Sequence, residues 1–372
     1  MRLLLPSVVM TAYIFFSLVW PLRISKAHKA ALGILLLTVG MKYIFYEVVG
    51  GSFFRPILPV PVLLVAEALY ASLVILFFLA LLKDLTVLLC RIGCFFGKKW
   101  HIPATAGLRC AVFVAASLCA GLWGTYQAVR VPDVRTVEVR IENLPVELEG
   151  FSLVQLSDIH IGPLFKNRWL SEVVEKANTL SPALVVITGD FIDGLPDELR
   201  ADVQPLEKLR AKFGVFGVEG NHENYYNAPG WRPVFTSLGI TMLSNEHRVL
   251  PGGLVIGGVT DRASSRFGRS GPSPAQAFAG APASPRILLA HQPYLEGILP
   301  AAVDLQLSGH THGGSLFFLA PLIAHYNGGY VRGLYTTENG QLYVSSGTGL
   351  WAGFSCRLGV PSEITQIILK RR

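Results

Sequence analysis

Cysteine is scarce in this 372-residue chain, and the positions of the cysteines limit the disulfide bonds and metal sites that they can form. Four of the five cysteines lie in the apolar front part of the chain, and only Cys356 lies further on. No pair of cysteines stands near histidines at zinc-finger spacing, and one cysteine cannot form a disulfide within its own domain. Cys90 and Cys94 share a helix face and are expected to be buried or lipid-facing thiols. A disulfide framework and a zinc-finger module are therefore excluded.

Charged residues are also few, at 15% of the chain, and they are unevenly distributed. The part before residue 126 contains eleven Lys and Arg against three Asp and Glu, a net charge of +8. The remaining part contains 21 basic against 22 acidic residues, a net charge of −1. Because this back part has no basic excess and no Lys/Arg-rich run, nucleic acid is not expected as its main partner.

Long apolar runs are plentiful in the front part. Four of them, residues 3–22, 30–49, 57–82 and 108–129, reach the ~20 residues that cross a bilayer. The first run lacks a small-residue cleavage site and ends at Trp20-Pro21, so it is not read as a signal peptide. We predict a multi-span α-helical membrane region over residues 1–129, with about four transmembrane helices in the cell membrane. A soluble domain is predicted over residues 130–372.

The basic loops predict an orientation. Residues 23–29 and 83–109 carry most of the Lys and Arg of the front part, whereas residues 50–56 carry only Arg55. Basic loops stay in the cytoplasm, so the soluble domain is expected to be extracytoplasmic. A different helix count would reverse this orientation, and residues 85–96 are the segment on which it depends.

Two charges, Lys42 and Glu67, lie within the predicted spans. Charges inside a membrane are costly and often functional. We favour a structural interpretation, in which Lys42 reaches an interface and Glu67 faces another helix. Anchoring is then the role of this region.

The back part alternates apolar strands with helical patterns. Strands are predicted at residues 137–141, 151–156, 183–188, 215–218, 254–259, 287–290, 305–307, 342–345 and 364–369, and helices at 169–180 and 197–213. This order predicts an α/β domain whose later strands form a mixed or two-sheet sandwich flanked by helices. Residues 261–285 are rich in Ser, Gly, Ala and Pro and are predicted to be a mobile loop. They are either a lid that carries Arg262, Arg266 and Arg269 to an anionic substrate or a solvated connector.

Five short motifs follow these predicted strands and supply most of the chemistry. They are Asp158-Ile159-His160, Gly189-Asp190, Gly220-Asn221-His222-Glu223, His291 and Gly309-His310-Thr311-His312. Ligands in α/β sheets gather beyond the carboxyl ends of strands, so the five motifs are expected to converge. Leaving Glu223 aside, the motifs supply two carboxylates, one amide and five imidazoles, which suit a site that holds two divalent metals.

Each residue alone has an ordinary explanation. An Asp after a strand commonly caps a helix, Asn221 could occupy a left-handed turn, and a single His is more often structural than a ligand. None of these explanations accounts for the ordered set.

The motifs resemble those of the calcineurin-like metallophosphoesterases. The segments from Gln155 to His160 and from Leu307 to Gly314 carry the resemblance most clearly, and it extends over residues 144–369. They resemble the membrane-anchored bacterial branch typified by YaeI and YkuE. The resemblance implies an α/β metallophosphoesterase domain with a binuclear metal centre.

The resemblance also implies a role for each site residue. Asp158, His160 and His312 would hold one metal. Asn221, His291 and His310 would hold the other, with Asp190 bridging the two ions. His222 would contact the phosphate and assist the leaving group. The expected cofactors are two divalent ions, Mn, Fe or Zn, since mixed O and N ligands suit all three.

Three functions are compared for the chain. The favoured one is a membrane-anchored phosphoesterase that uses metal-activated water to hydrolyse a phosphate ester or pyrophosphate bond, on a phosphorylated and possibly lipid-linked small substrate. The alternative is a non-enzymatic membrane receptor or scaffold that retained the fold, which predicts missing ligands. The third, a transporter with an accessory domain, finds little support in helices with few polar residues.

Overall fold

The computed structural model describes residues 4–96, 105–293, 303–338 and 340–372. By its internal contacts the chain divides into two compact units. The first contains Met1–Gln127 together with a short returning segment, Ala352–Cys356, and the second contains Ala128–Trp351 and Arg357–Arg372. The first unit therefore takes five residues from the far end of the sequence, which no composition boundary indicated.

The first unit is helical. Its helices are α1 (Leu4–Ile14, continued by a π-helical turn over Phe15–Val19), α2 (Lys26–Gly40), α3 (Lys42–Val48), α4 (Val60–Phe95) and α5 (Ala106–Val129). Of the described helices, α4 and α5 are each long and apolar enough to cross a membrane, and α2 with α3, bent by 60°, would make a third span if they act as one. Residues 85–96, on which the predicted orientation depends, continue helix α4 up to Phe95 instead of forming a separate segment.

The second unit is built from twelve strands and six helices among the described residues. The strands are β1 (Asp133–Ile141), β2 (Ser152–Leu156), β3 (Leu184–Thr188), β4 (Val215–Val218), β5 (Ile240–Met242), β6 (Glu246–Val249), β7 (Val255–Gly258), β8 (Arg286–Leu289), β9 (Leu305–Ser308), β10 (Gly333–Thr337), β11 (Gly340–Val344) and β12 (Glu363–Arg371). The helices are α6 (Asn167–Thr179), α7 (Pro196–Val203), α8 (Asn221–Tyr225), α9 (Ala228–Ser237), α10 (Pro274–Ala277) and α11 (Ala320–Tyr326).

The strands form two six-stranded mixed sheets, in the orders β1-β12-β2-β3-β4-β5 and β10-β11-β9-β8-β7-β6. Strands β2 to β5 run parallel, as do β7, β8, β9 and β11, and antiparallel strands join them. One core cluster contains residues of both sheets, among them Leu184, Ile256 and Leu305, so the sheets pack face to face. Alternate residues of β3, such as Val185, join a second cluster with helices α6, α7 and α9. Burial on both faces explains why β3 reads as one continuous apolar run.

The predicted α/β domain with mixed sheets is confirmed, with differences in detail. Sequence patterns missed β5, β6 and β10, which are short or half-exposed. The helix predicted at 197–213 ends at Val203, and a 3-10 turn follows over Gln204–Lys208. Pro205 lies in that turn and has no N–H to continue an α-helix. The predicted loop 261–285 contains a 3-10 turn, Arg262–Phe267, and helix α10.

Candidate metal centre

The motif residues converge from the ends of five strands. Asp158, Asp190 and Asn221 follow β2, β3 and β4 of one sheet, whereas His291 and His310 follow β8 and β9 of the other. Because the strands within each set are parallel, their carboxyl ends meet at one edge. Every motif side chain is buried except that of His310, which is partly exposed.

One group of donors consists of Asp158, His160 and His312. The Nε2 atoms of the two histidines lie 3.3 Å apart, and Nε2 of His312 lies 3.6 Å from Oδ1 of Asp158. A cation at 2.0–2.1 Å from each nitrogen spaces its ligands by roughly this distance. These three residues could hold a metal ion.

A second group consists of Asp190, His291 and His310, and it too could hold an ion. Nε2 of His291 lies 3.2 Å from Oδ2 of Asp190 and 3.3 Å from Nδ1 of His310. The side-chain oxygen of Asn221 lies 3.1 Å from the same nitrogen of His291. The amide therefore adds a fourth donor without adding negative charge.

Asp190 belongs to the second group and also lies close to the first. Its Oδ2 lies 3.2 Å from Nε2 of His291 in one group and 3.7 Å from Nε2 of His160 in the other. Its Oδ1 accepts a hydrogen bond of 2.9 Å from the backbone N–H of His222. Asp190 is thus oriented by the backbone and presents one oxygen to both donor groups.

The histidine tautomers suit metal binding. Nδ1 of His160 lies 3.0 Å from Oδ1 of Asp193, and Nδ1 of His291 lies 2.8 Å from the carbonyl oxygen of Thr188. Both acceptors require a proton on Nδ1, so Nε2 of each ring is the atom that faces the donor group. The donor set of carboxylate, amide and imidazole therefore fits Mn²⁺, Fe or Zn²⁺.

His222 belongs to neither of these two groups, but with His160 and Asp193 it forms a third cluster that could hold an ion. Its Nδ1 lies 2.5 Å from Oδ1 of Asp193, and its Nε2 lies 3.9 Å from Oδ2 of Asp190. Burial opposes the positive charge, but Asp190 and Asp193 outweigh it and raise the pKa of His222 to about 9. Burial and neighbouring histidines lower the pKa of His310 to about 3, so its Nδ1 stays available as a donor. The pKa values of His222 and His310 are thus shifted in opposite directions, and such perturbed pKa values are typical of functional sites.

The backbone at the site is in a rarely used conformation. Five motif residues have positive φ, between 49° and 71°, and these are Asp158, His160, Asp190, His310 and His312. Non-glycine residues seldom adopt the left-handed region, and each costs about 1–3 kcal/mol where it is strained. The packed loops therefore hold the donors in place at the expense of local stability.

Glycine at position 309 is required by close packing. A Cβ added to Gly309 would overlap Oγ of Ser157 and the carboxylate of Asp158. A Cβ on Gly220 would likewise overlap the carboxylate of Asp190. The backbone therefore passes closer to both carboxylates than any side chain allows.

Sequence reasoning missed Asp193 and assigned no role to Glu223, and both residues support the donors. Asp193 lies three residues after Asp190 in the same loop, and only the fold shows that it reaches two histidines. Glu223 accepts hydrogen bonds from the backbone N–H groups of Asp190, Phe191 and Gly220. Its spacing from Gly220 is that of a capping box, a signal that could have predicted part of this role.

Arg357 is fully buried next to the site. Its guanidinium donates to the carbonyl oxygens of His312, Ser346 and Gly349 at 3.1, 2.7 and 2.8 Å.

Arg269, which was predicted to belong to a lid, and two aromatic residues near the His222 motif differ in their surroundings. Arg269 makes a bidentate ion pair with Glu219 at 2.7 Å for both bonds, so it is engaged within the protein. Trp231 is buried in the core, with its indole N–H donated to Gly194. Tyr225 is 41% exposed, and its ring lies 5.4 Å from that of His222, so it is accessible beside the site.

Comparison with known proteins agrees with this site. Residues 151–314 match the calcineurin-like phosphoesterase family. The chain is 36% identical over 276 residues to a transmembrane protein with metallophosphoesterase domain from Danio rerio, covering 70% of this chain and 62% of that protein. It is 32% identical over 279 residues to the metallophosphoesterase YkuE of Bacillus subtilis, covering 71% of this chain and 95% of YkuE.

The chain therefore belongs to the calcineurin-like metallophosphoesterase family. It spans about three fifths of the length of the vertebrate relatives that it matches. Their names include the word transmembrane, and together with helices α4 and α5 this indicates an association with membranes. Among solved structures, a 5'-nucleotidase precursor from Thermus thermophilus aligns with a TM-score of 0.37 and 16% identity, covering 59% of this chain and 54% of that one.

Proposed function

We propose that the protein is a membrane-anchored phosphoesterase that hydrolyses a phosphate ester or pyrophosphate bond with two divalent metal ions. The observation that carries the proposal is the pair of donor groups on either side of Asp190. A carboxylate between two cations offsets charge on both and sets the ~3.5–4 Å spacing that clamps the attacking and leaving oxygens.

The donor groups suggest how the ligands divide. Asp158, His160 and His312 would hold one ion. Asn221, His291 and His310 would hold the other, and Asp190 would bridge them. When bound, the ions lower the pKa of a water and neutralise charge on the phosphoryl oxygens.

The chain's own residues supply the remaining chemistry. Asp190 and Asp193 raise the pKa of His222 to about 9, which favours its protonated form at neutral pH. Asp193 holds Nδ1 of His222, so the Nε2–H is left to face the shared carboxylate. From there it can give its proton to the leaving oxygen, a transfer worth about 10²–10⁴-fold in rate.

The substrate is proposed to be a small phosphorylated molecule that is lipid-linked or part of the cell envelope. The apolar helices favour an amphipathic substrate, since they would keep the enzyme where lipids are concentrated. We propose that the helical unit is a multi-pass anchor and that the phosphoesterase domain is extracytoplasmic, on the charge of the flanking loops. The receptor alternative predicts missing ligands, and all eight motif side chains are present.

The activity is tested on the full chain in detergent. With Mn²⁺ it should hydrolyse bis-p-nitrophenyl phosphate or p-nitrophenyl phosphate, and Asp190→Ala and His222→Ala should lose most of that activity. His325→Ala, which changes an exposed histidine outside the site, is the control. Equal activity in all four proteins would refute the site, and a wild type inactive on both compounds would favour the receptor.

The orientation is tested by fusing alkaline phosphatase to the carboxyl terminus. The fusion should be active, because alkaline phosphatase folds productively outside the cytoplasm. An inactive alkaline phosphatase fusion, together with a fluorescent fusion of green fluorescent protein at the same position, would place the domain in the cytoplasm.

A further inference from the structure

We propose that Lys42 and Glu67 are positioning residues for the metal centre, which act by holding the Ala352–Cys356 segment. The inference rests on the proposed function, since it concerns how that same centre is kept in order. It assigns the helical unit a role beyond anchoring, and it corrects the expectation that Lys42 reaches toward an interface.

Lys42 and Glu67 form a buried ion pair. Nζ of Lys42 lies 2.7 Å from Oε1 of Glu67, and both side chains are almost fully buried. The hydroxyl of Tyr46 donates to the same Oε1 at 2.7 Å. Nζ of Lys42 also lies 4.3 Å from the ring centroid of Tyr70. The lysine is therefore enclosed within the helical unit.

Both charges bind the backbone of the Ala352–Cys356 segment. Nζ of Lys42 donates to the carbonyl oxygen of Gly353 at 3.0 Å, and Oε2 of Glu67 accepts from the N–H of Ser355 at 2.9 Å. The hydroxyl of Tyr43 adds a bond of 3.2 Å to Gly353. The pair therefore satisfies one acceptor and one donor of a segment that has no regular secondary structure.

The energetics argue against a purely stabilising role. A buried ion pair is costly to desolvate, and well-packed apolar residues of similar volume often stabilise a protein as well or better. An anchor needs apolar surface and no internal charges. Apolar residues could not bind the backbone groups of Gly353 and Ser355, because buried backbone groups need polar partners.

The segment leads directly into Arg357. This arginine follows Cys356 in the chain, and its guanidinium holds the carbonyl oxygens of His312, Ser346 and Gly349. His312 is a proposed metal ligand with positive φ, so its loop depends on outside support. The geometry thus connects Lys42 and Glu67 to a metal ligand through one short stretch of continuous chain.

The test uses the full chain in detergent with Lys42→Met and Glu67→Gln. We expect Mn²⁺ affinity to fall about tenfold, the usual size for loss of support to a metal ligand. The kcat should fall with it, whereas KM measured at saturating Mn²⁺ should stay within about twofold, because substrate contacts are untouched. Lys42→Arg, which keeps the charge, should restore most of the Mn²⁺ affinity.

The control is Asp84→Asn, which alters a different set of polar contacts within the helical unit. Asp84 pairs with Lys83 and accepts from Tyr13 and Ser17, none of which belongs to the Ala352–Cys356 segment. This variant should keep wild-type Mn²⁺ affinity even if it loses thermal stability. An equal loss of Mn²⁺ affinity in Asp84→Asn would overturn the proposal, because it would show that any destabilisation of the helical unit weakens metal binding.

Cys356 reports on the segment independently of any activity. Its thiol is fully buried, and in a chain whose other four cysteines are replaced by Ser it is the only thiol that maleimide can label. Labelling should be faster in Lys42→Met and unchanged in Asp84→Asn. If Lys42→Met does not fold, Phe354→Ala replaces it, since it removes the contact with Tyr70 and leaves both charges.

The outcomes separate this inference from the proposed function. Changed labelling and Mn²⁺ affinity in a chain without phosphoesterase activity would support the inference and refute the function. A folded Lys42→Met or Phe354→Ala protein with wild-type labelling, Mn²⁺ affinity and kcat would overturn the inference and leave the function standing.

Discussion

Asp193 holds His222 through a contact of 2.5 Å between its Oδ1 and Nδ1 of the imidazole. The same carboxylate oxygen lies 3.0 Å from Nδ1 of His160, a proposed metal ligand. Asp193 thus orients both His222, the proposed proton donor, and His160, a proposed metal ligand. Loss of the Asp193 carboxylate should therefore disturb both metal binding and proton transfer.

Asp193→Asn should lower kcat about 10–100-fold, the usual cost of removing a carboxylate that orients a ligand histidine. The amide keeps the shape but not the charge that favours the protonated form of His222. The pKa of His222 should therefore fall, and the alkaline limb of the pH–rate profile should move to lower pH. Asp197→Asn, at an exposed position of α7, is the control and should match wild type in kcat and pH profile.

Gly309→Ala should abolish Mn²⁺ binding by the group that contains Asp158. The added methyl would overlap the Asp158 carboxylate and the Ser157 hydroxyl, and both lie in packed surroundings that cannot retreat. Isothermal titration with Mn²⁺ would show the lost site. Gly107→Ala, where an added methyl meets open space, should titrate as wild type. Two intact Mn²⁺ sites in Gly309→Ala would contradict the described loop geometry.

Removal of metal should destabilise the second unit. The clustered carboxylates and imidazoles lose the cations that relieve their repulsion, and a ligand at 100 times its Kd contributes about 2.7 kcal/mol to stability. Chelation with EDTA should therefore lower Tm, and added Mn²⁺ should restore it. Asp190→Ala should respond much less to either treatment. A Tm that ignores EDTA in the wild type would indicate that no ion is held.

Arg269→Met should reduce stability and leave KM unchanged. The substitution strands the carboxylate of Glu219, which is 2% exposed, without its bidentate partner. The loss should be about 2 kcal/mol, below the range for fully buried pairs because about a quarter of the Arg269 side chain is exposed. Urea unfolding measures it, and the double variant with Glu219→Gln should recover part of it. A large rise in KM without loss of stability would instead support the lid hypothesis.

The fold was predictable wherever a pattern was local. The strand at β4 was predicted at its observed bounds, and β3 within one residue, because continuous apolar runs report burial directly. Strands β6 and β10 were missed because their residues are half-exposed and carry no such run. The predicted helix at 197–213 was too long because the prediction followed the helical period alone. Pro205 has no backbone N–H to donate to the preceding turn, and a 3-10 turn forms there instead.

The sequence by itself determined the family, the α/β class and the set of residues that meet, because motif order and strand-end positions are properties of the chain alone. Only the tertiary structure decided how those residues are held. The contacts of Asp193 with two histidines, the left-handed backbone at Asp158 and His312, and the pairing of Lys42 with Glu67 join residues distant in sequence or depend on packing. Such relationships arise from long-range burial, which no local pattern records.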